Sequence, residues 1–186
     1  MLLTASRNPT RNIRTLCRDI SYTFPNIVRI NRGKLSLEGI IEKAVEFNVG
    51  RVAIVERWAQ GTAKMEFFEV RQGGLVGFPP IIYVRNVKFR RDFGEWMNKE
   101  RRIESIAIAS SSKENFEAKK LEDAFSSFFE IPIIPIEEAI NSKHDAVMQT
   151  SIDSSDRITI TFRLVPKPVE IGPQMGVSHL AWELKG

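Results

Sequence analysis

Cysteine is nearly absent. Cys17 is the only one among 186 residues, which excludes an internal disulfide framework and a zinc site built on thiolates. No apolar run approaches the roughly 18 residues that a membrane-spanning helix needs. The N-terminus, Met1-Leu2-Leu3-Thr4, has no charged stretch ahead of an apolar one and does not read as a signal peptide. These absences predict a soluble, cytoplasmic chain. Phosphate-cradling glycine loops are missing as well: neither Gly-x-x-x-x-Gly-Lys-[Ser/Thr] nor Gly-x-Gly-x-x-Gly occurs. The two histidines, His144 and His179, lie far apart and have no metal-ligand spacing. The paired acids Glu137 and Glu138 open a short helical turn, where the dipole favours them. With no nucleophile–base pair in view, the expectation is a chain without catalysis, metal or cofactor.

What is present is charge, unevenly placed. The net charge is only +4, but residues 1–102 hold 19 Lys/Arg against 10 Asp/Glu, and residues 103–186 hold 8 against 13. Arg7, Arg11, Arg14, Arg18, Arg29, Arg32 and Lys34 face a single acid, Asp19, within the first 34 residues. Solvated faces also carry charge runs; an asymmetry of this kind between halves points to a polyanion partner for the first. A second basic cluster follows at Arg85, Lys88, Arg90 and Arg91.

The cations fall on an α/β pattern. Leu2 to Ala5 reads as a short strand, and Asn8 as an N-cap with Pro9 at the first helical position. Ile13, Leu16, Cys17 and Ile20 repeat at helical spacing as a buried stripe, which makes Cys17 core, and Arg11, Arg14 and Arg18 ride the other side. Phe24-Pro25-Asn26 ends that helix. Ile27 to Ile30 then forms a short strand closed by the cationic loop Asn31-Arg32-Gly33-Lys34, at the C-terminal edge of a sheet, where open α/β sheets place their ligand sites. Arg29, inside the strand, either meets a ligand or pairs with an acid of the next helix. Ser36 caps that helix, whose Leu37, Ile40, Ile41, Ala44 and Val45 repeat the apolar period. Val52 to Val55 suits a parallel strand covered on both faces, Ala63 to Val70 a hairpin partner, and Gly73, Gly74, Gly77, Pro79 and Pro80 a loop before a strand from Ile81 to Val87. Phe93, Trp96 and Met97 read as a packed joint between halves.

From Ile103 the pattern begins again. At a constant offset of 104, Ala5, Ser6, Asp19, Phe24, Ile27 and Ile30 meet identical residues at Ala109, Ser110, Asp123, Phe128, Ile131 and Ile134. Glu137 to Asn141 is a stub where the first half has a full helix. Ala146 to Ser151, Ile158 to Val165 and Val177 to Leu184 supply further strands. The expected fold is therefore α/β with mixed sheets, an internal duplication of two similar halves, the first basic and the second acidic.

Several segments also resemble a known family. Thr4-Ala5-Ser6-Arg7-Asn8-Pro9-Thr10, Phe24-Pro25-Asn26 and Arg29-Ile30-Asn31-Arg32-Gly33 resemble the Brix-domain family of ribosome-biogenesis proteins, in the order and spacing of its small-subunit rRNA-processing branch. Gly77-Phe78-Pro79-Pro80 through Arg85-Asn86-Val87 continues the match. Val169-Glu170-Ile171-Gly172-Pro173 resembles the stretch described in that family as a sigma-factor-like RNA-binding motif. The resemblance implies a single Brix-like domain over 1–186, its halves 1–102 and 103–186 each like the anticodon-binding domain of class IIa tRNA synthetases. It further implies binding to precursor ribosomal RNA without catalysis, with ribosomal or assembly proteins as further partners. Gln174 stands where many relatives carry arginine, and the short chain resembles the compact archaeal type.

Arg7, Asn8, Arg11, Arg14, Arg29, Asn31, Arg32, Lys34, Arg85, Lys88, Arg90 and Arg91 are the expected RNA-binding residues, because guanidinium groups pair bidentately with phosphates and asparagine amides bond sugars or base edges. Two other functions fit the same features: a protein-interaction adaptor whose acidic half docks a basic partner, and a tRNA-directed module.

Overall fold

The computed structural model describes residues 1–94, 102–110 and 115–183. The strands are β1 (Leu2–Ala5), β2 (Val28–Arg29), β3 (Arg51–Glu56), β4 (Ala63–Arg71), β5 (Gly74–Lys88), β6 (Ile106–Ser110), β7 (Ile133–Pro135), β8 (Ala146–Ile152), β9 (Ile158–Leu164), β10 (Val169–Glu170) and β11 (Gln174–Ala181). The helices are α1 (Arg11–Thr23), α2 (Leu37–Glu46) and α3 (Phe116–Phe129). All strands join one mixed sheet in the order β2-β1-β3-β4-β5-β11-β9-β8-β6-β7, with β10 pairing β9. Read inward from either end, the two halves have the same strand order and meet at the antiparallel β5–β11 pair. In each half the three outer strands are parallel and the rest antiparallel.

Alternation along β1 explains the layering. Leu3 and Ala5 face a core shared with Ile13, Leu16 and Ile20 of α1 and with Leu121, Phe125 and Phe128 of α3. Leu2 faces the opposite side, where Ile40 and Ala44 of α2 cover it with Val52 and Ile54. Hence β1 is buried along its whole length, as a parallel strand covered on both faces must be. Phe24 at the end of α1 stacks on Phe129 at 4.1 Å between centroids and meets Phe162 edge-on at 5.3 Å, joining the halves through aromatic contacts.

Several sequence expectations change. The strand expected from Ile27 to Ile30 shrinks to Val28–Arg29 and is the outermost of the sheet. Thr10, not Asn8, caps α1, accepting a hydrogen bond from the Ile13 N–H at 3.3 Å; Asn8 takes φ +53°, a left-handed turn that asparagine tolerates. In α2 only Ile40 and Ala44 are buried, while Leu37 and Val45 are 48% and 67% exposed, because one sheet face offers cover to a single stripe. β5 runs straight through Gly77-Phe78-Pro79-Pro80. Phe67 pairs Phe78 and Met65 pairs Ile82, so the two prolines lie in a bulge, where the ladder asks for no N–H.

The 104-residue offset holds only in part. Leu2 stands opposite Val28, whereas Ile108 stands opposite Ile133, a slip of one residue. Asp19 is buried and Asp123 exposed, so that identity reflects no shared environment. Phe93 packs against the Gly172 loop as expected of the joint; Trp96, Met97 and Leu184 lie outside the described residues. Among the described residues, no helix is long and apolar enough to cross a membrane.

Candidate nucleic-acid interface

β1, β2 and β3 are parallel, so the loops leaving their C-terminal ends gather at one edge. After β1, the Ser6 N–H donates to the Val55 carbonyl at 2.9 Å and turns Arg7 and Asn8 outward. After β2, Gly33 adopts φ +54° with open space where a Cβ would stand, so the turn itself requires glycine. Arg32 is held at both ends of this loop: its Nε donates to the Leu35 carbonyl at 3.3 Å, and its carbonyl accepts the Leu35 N–H at 2.9 Å. Ser36 then caps α2 by accepting the Gly39 N–H at 3.1 Å.

Two clefts flank this edge. The first is lined by Arg7, Asn8, Thr10, Arg32 and Arg57 among others, with Glu38 and Glu56 on its rim. Glu56 is already bridged by Lys64, which also holds Glu66 at 3.1 Å. The second cleft gathers Arg14, Arg29, Asn31, Arg32 and Lys34 over a floor that includes Cys17. Asn8 and Arg32 line both. Burial pushes the Cys17 thiol up to about 12 despite nearby Arg29, so that floor is chemically inert.

The charge here is uncompensated. Among the described residues, none of Arg7, Arg11, Arg14, Arg29, Arg32, Lys34 or Arg57 reaches a carboxylate within ion-pair distance. Elsewhere cations of both kinds occur: Arg51 meets Glu130 at 3.0 Å, Arg71 meets Glu69 at 2.6 Å and Arg157 meets Asp153 at 2.9 Å, while Arg85, Lys88 and Arg163 are among those with no ion pair among the described residues. The first turn of α1 has no acid although its dipole favours one, whereas α2 and α3 carry Glu38 and Glu117 there. Cations and a positive helix end thus accumulate at one place, a cost to the folded chain that an anionic ligand offsets.

The second basic cluster divides. Arg85 is exposed, with its guanidinium 5.9 Å from the Trp58 ring. Since Glu56 pairs Lys64 and Ala63 pairs Val84, Arg85 lies at the same sheet end as Arg57. Lys88 sits over the Phe93 ring at 4.1 Å, and Arg91 over Phe89 at 5.0 Å with Asp92 at 3.7 Å. Arg90 is a correction: it is 3% exposed, and its N–H donates to Asp19 at 2.9 Å while Nη1 donates to the Thr23 hydroxyl at 3.2 Å. Burial pushes the Asp19 carboxyl up against the opposing pull of the Arg90 N–H and Arg18. Arg90 therefore ties α1 to the end of β5 and offers nothing to solvent. Arg18 sits at this end too, 3.5 Å from Asp19, away from the two clefts.

The Ile171-Gly172-Pro173 loop is buried as well. The Gly172 carbonyl lies 3.0 Å from the Thr23 hydroxyl, and a Cβ at Gly172 would stand 2.4 Å from the Phe93 ring. Its role in this fold is to lock α1 to the second half. Arg57 and Trp58 escaped the sequence reading. The signal was there: each of the three parallel strands is followed within three residues by arginine, at Arg7, Arg32 and Arg57.

No family model matches the chain. It is 30% identical over 96 residues to the probable Brix domain-containing ribosomal biogenesis protein of Thermococcus kodakarensis, a match spanning 50% of this chain and 45% of that one. The protein of the same name from Pyrococcus abyssi is 26% identical over 187 residues, covering 95% of this chain and 82% of its own. The fold matches the crystal structure of a probable ribosomal biogenesis protein from Aeropyrum pernix with a TM-score of 0.74 at 22% identity, over 99% of this chain and 96% of that one. It also matches Mil, an archaeal Imp4-like protein, with a TM-score of 0.67 at 17% identity, over 98% and 100%. The chain is thus similar along nearly its whole length to relatives of one name, Brix domain-containing ribosomal biogenesis proteins, and shares its fold end to end with these archaeal structures.

Proposed function

We propose that this chain is a non-catalytic, cytoplasmic assembly factor that binds precursor ribosomal RNA and assists its processing or folding. The observation that carries the reading is the set of cations without carboxylate partners at the C-terminal edge of β1, β2 and β3. Residues 1–186 act as one unit in this reading, the basic half meeting the RNA and the acidic half free for ribosomal or assembly proteins. Arg7, Asn8, Arg11, Arg14, Arg29, Asn31, Arg32, Lys34 and Arg57 form the main contact surface, and Arg85 extends it. Such a surface binds through phosphates and groove shape, so affinity comes from neutralised charge and position from the fixed geometry of Arg32 and the two helix caps.

Ultraviolet crosslinking in cells, followed by sequencing of the bound RNA and mapping of the crosslinked peptides, tests it. Precursor rRNA should dominate, with adducts on residues 7–14 and 29–34. Adducts confined to tRNA would favour the tRNA-directed reading, and copurified proteins without RNA adducts would favour the adaptor.

A further inference from the structure

The proposed surface does not absorb one other feature of the fold. Ile82 and Val84 of β5 point into the shared core, so Tyr83 and Arg85 point to the opposite face. On that face α2 covers β1, β3 and β4, and the Ile136–Glu138 turn covers β6 and β8. α2 reaches β5 only at its start, where Leu75 joins the same cluster, so among the described residues the stretch of β5 around Tyr83, with β11 and β9 beside it, is packed against neither of these elements on this side. Trp58, Tyr83 and His179 form a row of rings across this open stretch. Trp58 and Tyr83 lie 4.9 Å apart at 60°, and Tyr83 and His179 5.6 Å apart at 40°. His179 stands directly opposite Tyr83 in the β5–β11 pair.

The row is built, not incidental to a loose loop. A Cβ at Gly61 would stand 2.4 Å from the Trp58 ring, so the indole is seated on a glycine-floored turn, which the Thr62 N–H fastens to the Val84 carbonyl at 2.8 Å. Beyond the rings, a Cβ at Gly176 would stand 3.0 Å from the Arg85 carbonyl, so glycine suits this close pass of β11 along β5. Lys64, opposite Tyr83, has already engaged Glu56 and Glu66, so no unpaired carboxylate on that strand opposes an anion here. Tilted rings on an uncovered sheet, with an arginine at one end, suit unpaired bases, whose faces stack while the backbone follows the cation.

We infer that the open β5–β11 face, with Trp58, Tyr83, His179 and Arg85, is a stacking platform for a single-stranded RNA segment next to the duplex or phosphate-rich part held at the basic edge. This rests on the RNA-binding reading above. It assigns the two surfaces different ligands: the basic edge takes backbone of any form, and the platform takes only bases that are unstacked.

Fluorescence anisotropy of the full chain with two probes tests it: an oligouridine of about 12 nucleotides, within the footprint of sheet-type single-strand binders, and a fully paired RNA duplex of like length. Tyr83→Leu should weaken oligouridine binding about tenfold or more and leave the duplex unchanged, while Tyr83→Phe, which keeps the ring, binds both as wild type does. His179→Leu, a change at an exposed site, should show the same selective loss and serves if Tyr83→Leu does not fold. The Arg29→Ala/Arg32→Ala/Lys34→Ala variant should weaken both probes. A folded Tyr83→Leu or His179→Leu protein that binds oligouridine normally, or loses both probes alike, overturns the platform. Wild-type binding to the duplex but not to oligouridine also overturns it and leaves the RNA reading standing. Binding to neither probe overturns both.

Discussion

At the scale of single residues, position relative to the sheet decides what a cation does. Arg32 and Arg90 have the same side chain and opposite fates. Arg32 stands at the end of an edge strand, fixed by the Leu35 carbonyl and open to two clefts. Arg90 follows a long strand into the joint between halves, where Asp19 and Thr23 receive it. Local sequence around Phe89-Arg90-Arg91 contains no sign of that difference, because the partner carboxylate is 71 residues away. Cys17 shows the converse case. Its place on the apolar stripe of α1 was readable from spacing alone, and the structure leaves it 2% exposed with a thiol raised to about 12. An alkylating reagent at pH 8 should therefore leave the native thiol unmodified and label it fully once denaturant is added, as read by intact mass. Rapid labelling of the native protein would show that the floor of the second cleft opens to solvent.

At the scale of elements, α1 and α2 present contrasting compromises. α1 begins with Arg11 and Arg14 at the positive end of its dipole and no acid in its first turn. Arg11→Glu/Arg14→Glu should raise the melting temperature slightly, since each favourable end charge contributes about 0.3–1 kcal/mol, while weakening RNA binding severely. A fall in both would mean that these arginines hold the helix in place. α2 lies on the sheet through a narrow stripe. Ile40→Ala should cost ~2–5 kcal/mol and Val45→Ala within about 0.5 kcal/mol, read by denaturant midpoints. Element types were legible here because apolar periods of 3.6 and 2 survive in the chain. How much of each face is covered was not legible: Leu37 and Val45 keep the helical period, yet the sheet beneath reaches only Ile40 and Ala44. The run of β5 through Pro79 and Pro80 was hidden likewise, because a bulge against β4 depends on a partner strand that the local sequence does not contain.

At the scale of the molecule, one strand order serves both halves, and among the described residues the first half's parallel edge concentrates unpaired cations. The corresponding positions of the second half went to packing. Ala118, where the offset places Arg14, is buried in the shared core. The division of charge between halves could be counted in the sequence; the convergence of Arg7, Arg32 and Arg57 on one edge depends on β1, β2 and β3 being parallel, which only the pairing reveals. The most direct test of this account is the salt dependence of binding to a precursor-rRNA fragment, for wild type and for Arg29→Ala/Arg32→Ala/Lys34→Ala. If six of these cations each meet a phosphate, log affinity should fall with log salt at a slope of roughly −4 to −5, and the triple variant should flatten it by about 2 or 3. A shallow slope shared by both proteins would contradict it.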